Sequence, residues 1–373
     1  MRRPVYLDYN ATAPVRPEVA SVMAEALATV GNPSSVHGFG RAARAQLETA
    51  RERVAALVGA RPAQVVFTSG GTEANNLALA GAGRGRVLVS GIEHDSVLKA
   101  TAAETIPVDR HGVVDLAALD RLLVTRPEPA SVAVMLANNE TGVLQPVVEA
   151  ARIARDRGAL LHCDAVQAAG KIAVDFKALG VDLMTVSAHK LGGPAGVGAL
   201  IVADHVHLSA QQRGGGQERG RRAGTENLAG IVGFGVAAEI AAGELGAMAR
   251  LADLRDDLER RALAAVPGAL LFGRDAPRLA NTSCLALPGV SSEVQVMALD
   301  LAGVAVSAGS ACSSGKVQAS HVLRAMGADA ATAGSAIRIS LGWGSTAEDV
   351  GRFLEAWCAL AARSRAVGSL TAA

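Results

Sequence analysis

A chain of 373 residues is too long for one small core, and a net charge of +1 with no segregation of basic residues argues against nucleic acid as the main partner. Half of the residues are apolar but only 3% are aromatic, so the core must be Ala, Val and Leu brought together by close backbone approach. Four widely spaced cysteines (Cys163, Cys284, Cys312 and Cys358) contain no CxxC pair, describe neither a disulfide framework nor a resident metal site, and point to a reducing cytoplasmic setting.

In chain order, residues 1–15 form a short apolar start and a turn-rich arm, Asp8-Tyr9-Asn10-Ala11-Thr12-Ala13-Pro14, with no secretory layout. Helical spacing covers residues 16–30 and again residues 41–58, where Arg41, Arg44, Arg51 and Arg53 are expected on polar faces. An α/β rhythm follows, with strands expected at 65–68, 87–90, 131–137, 160–163, 183–186 and 197–202. These runs are continuously apolar, as in a mostly parallel sheet covered on both faces. A long Ala-rich helical region from 224 to 266 includes an apolar stretch interrupted by Glu239, which is too short to cross a bilayer and reads as a buried helix. The remainder alternates short strands (282–287, 304–306, 336–340) with helices (293–301, 318–326, 346–362). The expected organisation is a large domain over 16–260 and a smaller α+β domain made of 1–15 and 261–373.

The chemistry-bearing residues gather where strands end, which is where parallel sheets bind ligands. Ser187-Ala188-His189-Lys190 ends an apolar strand and runs into a glycine-rich loop, a good position for a Schiff-base lysine. Ser69-Gly70-Gly71-Thr72 turns from strand to helix. It suits a phosphate, and equally an ordinary turn with Thr72 as cap. Asp164 ends another strand, as a helix cap or as partner to a protonated ring nitrogen. His94 follows a further strand, where its imidazole could stack on a ring and relay protons. Asn139 closes one more and could donate to a ring oxygen.

In the second domain, Ala308-Gly309-Ser310-Ala311-Cys312-Ser313-Ser314-Gly315-Lys316 sets a cysteine in a small polar loop beside a lysine, which suits a reactive thiol. Arg338 lies inside an apolar strand and requires a carboxylate, either the protein's own or a substrate's. The other cysteines are assigned to packing. Cys163 is the least certain of these because it neighbours Asp164.

Together, Tyr9-Asn10-Ala11-Thr12, SGGTEANN (69–76), EHDSV (93–97), NNETG (138–142), HCDAVQ (162–167), SAHKLGGPAGVG (187–198), GGGQERGRRAGTEN (214–227) and GSACSSG (309–315) resemble the cysteine desulfurases. These are fold-type I, class V aminotransferase-group enzymes dependent on pyridoxal 5'-phosphate. The resemblance runs through nearly the whole chain, and the long loop after Cys312 is similar to the NifS/IscS-type subgroup. It implies an α/β fold-type I transferase with a mostly parallel seven-stranded sheet and a smaller α+β domain.

The resemblance also implies roles. Lys190 would hold the cofactor and act catalytically, with Asp164 at the ring nitrogen, His94 stacked on the ring, and Gln167 and Asn139 on the ring-oxygen side. Gly71, Thr72, Ser187 and His189 would hold the phosphate, joined by Thr225 from the other subunit of a homodimer. Arg338, with Asn139, would bind substrate, and Cys312 would accept sulfur. There is no resident metal, although Cys312 could ligate a transferred iron–sulfur cluster. The implied reaction converts L-cysteine to L-alanine with sulfur carried on Cys312 as a persulfide, for an iron–sulfur scaffold or sulfur-carrier protein, away from membranes and nucleic acid. Cys163 departs from the Val or Thr of many relatives. A selenocysteine lyase would share the cofactor residues, a class V aminotransferase would not need Cys312, and a non-catalytic sulfur relay would not need Lys190.

Overall fold

The computed structural model describes residues 3–126, 128–309 and 319–371. Its centre is a seven-stranded sheet built, in chain order, from Val65–Thr68, Arg86–Ser90, Glu104–Ile106, Ala130–Ala133, Leu160–Asp164, Leu183–Ser187 and Gly198–Val202. Gly198–Val202 lies between Val65–Thr68 and Leu183–Ser187 and runs antiparallel to both. The other strands therefore share one direction, and their carboxyl ends open onto one edge of the sheet. All but the edge strand Glu104–Ile106 are buried along their length, which explains their unbroken apolar character.

Several boundaries differ from the sequence reading. The strand expected over 131–137 ends as a regular strand at Ala133, although the Val134 and Leu136 amides still donate to the His162 and Asp164 carbonyls as the chain runs into the site wall. Glu104–Ile106 and Leu270–Phe272 are only three residues each, too short to give a pattern, and appear only as edge additions. The Ala-rich region breaks into Leu228–Gly243 and Ala249–Ala265. The first of these packs against Pro17–Ala28 and Gly38–Leu57, and no single helix among the described residues is long and apolar enough to cross a membrane. Gly235 permits that approach, since a Cβ there would lie 2.7 Å from Ala50 Cα.

Arg51 is not on a polar face. It is buried, pairs with Glu218 at 2.7 Å, and sits over the Phe67 ring. Glu218 also accepts from the Phe67 amide, and it holds this place at a positive φ of 46°.

A second apolar cluster lies outside the main sheet. The antiparallel strands Leu270–Phe272, Thr282–Ala286, Ser307–Ala308 and Ala336–Ser340 form a four-stranded sheet, and Val5–Tyr6 pairs in parallel with Val304–Ala305. Leu7, Leu285, Ile337, Phe353 and Trp357 fill the core beside it, joined by Leu251 and Leu258 of Ala249–Ala265. The Trp357 indole donates to Gln295 Oε1 at 3.0 Å, so this buried ring has a partner for its one polar atom.

Candidate active site

A cavity of about 310 Å³ opens at the carboxyl ends of the parallel strands. Among its lining residues are Gly71, Thr72, His94, Asn139, Asp164, Gln167, Ser187, His189, Lys190 and Arg338. Topology collects them: each strand of a parallel sheet delivers its following residues to one edge, and Arg338 arrives from Ala336–Ser340 of the smaller sheet. Thr225 is not among them and lines a different cavity with Phe67, Ser69 and Gly196. Cys312 lies outside the described residues, as do the rest of 310–318, while Gly309 reaches the cavity wall.

The turn after Val65–Thr68 uses Gly70 at φ 153°, a conformation only glycine adopts comfortably, to start the helix Gly71–Gly81. Gly70 is thus the N-cap, and Thr72, expected as the cap, stands inside the first turn. That leaves the cavity-facing helix end without a side-chain cap, so its N–H groups are available to an anion. Beside it, the buried Ser187 hydroxyl has no hydrogen-bond partner among the described residues. Burial, then the Lys190 charge, pushes His189 down to about 4, so the imidazole is neutral at physiological pH.

Asp164 is no helix cap. Its Oδ1 accepts the Val166 amide at 2.9 Å and its Oδ2 accepts Asn75 Nδ2 at 2.8 Å. The Asn75 amide also donates to Ser96 Oγ at 2.8 Å and accepts from His162 Nε2 at 2.9 Å. His94 caps the short helix Asp95–Leu98, its Nδ1 accepting the Ser96 amide at 3.1 Å and lying 2.8 Å from Ser96 Oγ. With Nδ1 the acceptor, the neutral ring carries its proton on Nε2. A hydrogen-bonded line thus joins the carboxylate in one wall to the imidazole in another. Behind it, burial and then Asp164 hold the Glu93 carboxyl well above the usual range.

The Lys190 amine donates to the backbone carbonyls of Asn10 and, at 2.7 Å, Ala11. Arg338 meets one of the protein's own carboxylates, Asp8, at 2.8 Å, and donates to the Asn139 carbonyl at 3.1 Å. Its buried Nε has no partner among the described residues. Cys163 is fully buried in the main core and does not line the cavity. Burial, then Asp164 and Glu93, push its thiol far up, so it is not a second reactive thiol at the site.

Sequence reasoning assigned no role to Asn10, Asn75, Ser96 or Glu140. Asn10 and Asn75 stood in quoted motifs, YNAT and SGGTEANN, but amides carry no charge or spacing signal of their own. The Asn10 backbone amide donates to Ser340 Oγ at 2.9 Å and its side chain to Thr282 Oγ1 at 2.9 Å. Its backbone carbonyl accepts from Gln167 Nε2 at 2.9 Å as well as from Lys190. Glu140 is fully buried and accepts from Ser320 Oγ at 2.5 Å. Burial raises its carboxyl to about 7.

A family model described as aminotransferase class-V matches residues 5–353. The chain is 44% identical over 367 residues to a cysteine desulfurase of Cereibacter sphaeroides, covering 94% of each chain. It is 41% identical over 380 residues to an IscS-like cysteine desulfurase of Mycobacterium tuberculosis, covering 96% of this chain and 97% of that one. A solved NifS-like protein from Rickettsia africae superposes with a TM-score of 0.89 at 34% identity, across 95% of this chain and 98% of that one. Matches of this identity, extending through both sheets and the cavity between them, make the chain a member of the aminotransferase class-V family, within its cysteine desulfurase group.

Proposed function

We propose that the protein is a pyridoxal-phosphate-dependent cysteine desulfurase that converts L-cysteine to L-alanine and moves the sulfur to Cys312. The observation that carries this reading is the meeting of Lys190, Asp164 and Arg338 around one cavity, with the end of the Cys312 segment, Gly309, in its wall. The residues present suit the cofactor: a helix end with no side-chain cap and a buried hydroxyl, Ser187, with no partner among the described residues, for a phosphate, and a carboxylate with spare acceptor capacity for a ring nitrogen.

Lys190 would tether the group, Asp164 would hold its ring nitrogen and His94 would cover its face. Gln167 and Asn139 would flank its ring oxygen. Gly71, Thr72, Ser187 and His189 would bind its phosphate, joined by the partner subunit's Thr225; the position of Thr225 outside this chain's own cavity supports a homodimer. When bound, pyridoxal phosphate supplies an electron-withdrawing ring that stabilises negative charge at the substrate α carbon.

Arg338, steadied by Asp8, fixes the substrate carboxylate, and Lys190 takes the α proton. The Cys312 thiolate then attacks the substrate sulfur. A sulfur–sulfur bond forms, the carbon–sulfur bond breaks with its electron pair going to carbon, that carbon takes up a proton, and Lys190 returns the α proton to complete alanine. A neutral His189 beside Lys190 adds no positive charge there, which leaves the amine better able to accept a proton.

Sulfur would then pass to an iron–sulfur scaffold or sulfur-carrier protein in the cytosol. The chain would divide into a larger and a smaller unit, as expected from sequence, but with the boundary moved from 260 to ahead of Ala249–Ala265, whose leucines pack in the second core. Incubation with sulfur-labelled cysteine, followed by mass mapping, tests the reading. Label is expected on Cys312 with stoichiometric alanine. Undiminished persulfide in Cys312→Ala would overturn it.

A further inference from the structure

Lys171 is a buried amine that the reaction as described does not use. It follows Gly170, whose φ of +72° turns the chain after the HCDAVQ strand end and sends the Lys171 side chain back under the site. Its Nζ donates to Gln167 Oε1 at 2.7 Å and to Asn10 Oδ1 at 2.9 Å. Among the described residues it has no carboxylate partner, and burial followed by the charges of Lys190 and Arg338 holds its pKa well below an ordinary amine's. Lys171 and Lys190 also share the wall of a second cavity of about 40 Å³.

A primary amide is nearly symmetric in shape, so its partners decide which end faces where. The Lys171 amine carries N–H donors in either protonation state, and both of its bonds here go to amide oxygens. Asn10 Oδ1 has a second donor, Asn281 Nδ2 at 3.0 Å, whereas Lys171 is the donor found for Gln167 Oε1. With that oxygen held, Gln167 Nε2 must face the Asn10 backbone carbonyl, which also receives Lys190.

We propose that Lys171 is a positioning residue for the cofactor-holding amine: it keeps Gln167 turned so that an N–H group, not an oxygen, lies beside the Lys190 nitrogen. A turned Gln167 would present an acceptor there and favour a proton on that nitrogen. Among the described residues, the charged and titratable groups around Lys190 include Lys171, His189, His94, Asp164 and Arg338 with its partner Asp8, and of these the test alters Lys171 alone. The inference rests on the desulfurase reading only in taking Lys190 as the amine that holds pyridoxal phosphate.

The test is a pH titration of the visible absorbance of bound pyridoxal phosphate in the wild type, Lys171→Met, Gln167→Leu and the double variant. Lys171→Met is expected to raise the midpoint by about one pH unit, and by less than about half as much in the Gln167→Leu background, where no amide remains to turn. Lys171→Arg, which keeps the donors, is expected to retain the wild-type midpoint. Should Lys171→Met not fold, Lys171→Leu, which likewise has no donor, takes its place in the cycle with the same expectations. No shift, or equal shifts in both backgrounds, would overturn the proposal, the latter making Lys171 a through-space charge only. A wild type that takes up no pyridoxal phosphate would overturn the functional reading and this inference with it. A titrating band without cysteine turnover would overturn the functional reading alone.

Discussion

Glu140 shows how a single buried carboxyl makes the protein sensitive to pH. Burial raises it from 4.5 to about 7, a penalty that the Ser320 hydroxyl and the Arg338 charge only partly offset and that Asp95 adds to. The folded state therefore binds this proton more tightly than the unfolded chain. Its contribution to stability is complete below pH 4.5 and is lost as pH rises through about 7. We expect Glu140→Gln to flatten the dependence in that window, gaining of the order of 3 kcal/mol over wild type at neutral pH relative to the difference below pH 4.5, as read by urea unfolding at both pH values.

Cys163 is the opposite case, a thiol that burial and two neighbouring carboxyls keep inert. Cys163→Ala is expected to cost about 1–2 kcal/mol of stability through lost packing and to leave persulfide formation at Cys312 unchanged, checked by unfolding and by mass mapping. Neither behaviour was legible from residue type. A glutamate in NNETG and a cysteine in HCDAVQ look alike whether wet or dry, and only the residues packed over them decide.

Among the elements, the strand ends were the most legible. Motifs that follow apolar runs must meet at one edge if the runs are parallel, and Lys190, Asp164, His94 and Thr72 could be brought together on that ground alone. The segment 214–227 was not legible in the same way. Glu218 and Arg219 there hold positive φ values of 46° and 58° without being glycine, which local preference would not suggest. Glu218 is kept in place by its two bonds to Arg51 and one to the Phe67 amide, and Arg222 adds a 2.8 Å pair to Glu73 in the helix next to the cavity. Removing one partner of a buried pair strands the other charge. Arg51→Ala is therefore expected to destabilise the protein by about 3–5 kcal/mol in urea unfolding and to make the 214–227 segment more susceptible to proteolysis.

At the scale of the whole molecule, Asn10 ties three parts together. The N-terminal arm that carries it bonds to Thr282, Asn281 and Ser340 of the smaller sheet and to Gln167, Lys171 and Lys190 at the end of the larger one. Asn10→Ala would leave Thr282, Asn281 and Lys171 each short of a partner in a buried setting. A loss of about 2–4 kcal/mol is expected, together with weaker retention of pyridoxal phosphate on dialysis; a variant stable but unchanged in retention would confine Asn10 to a structural role.

By itself the sequence determined the α/β architecture, the edge at which the site forms and the reactive residues on it, because apolar runs and the motifs that end them are local and each chemistry demands its own residue type. Tertiary structure alone decided which groups are dry and which amides point where. It set Arg338 on Asp8, Arg51 on Glu218 and Lys171 under Gln167. Those pairings join residues up to 330 positions apart, and the desolvation that lowers the proton affinity of Lys171 exists only once the two cores close around it.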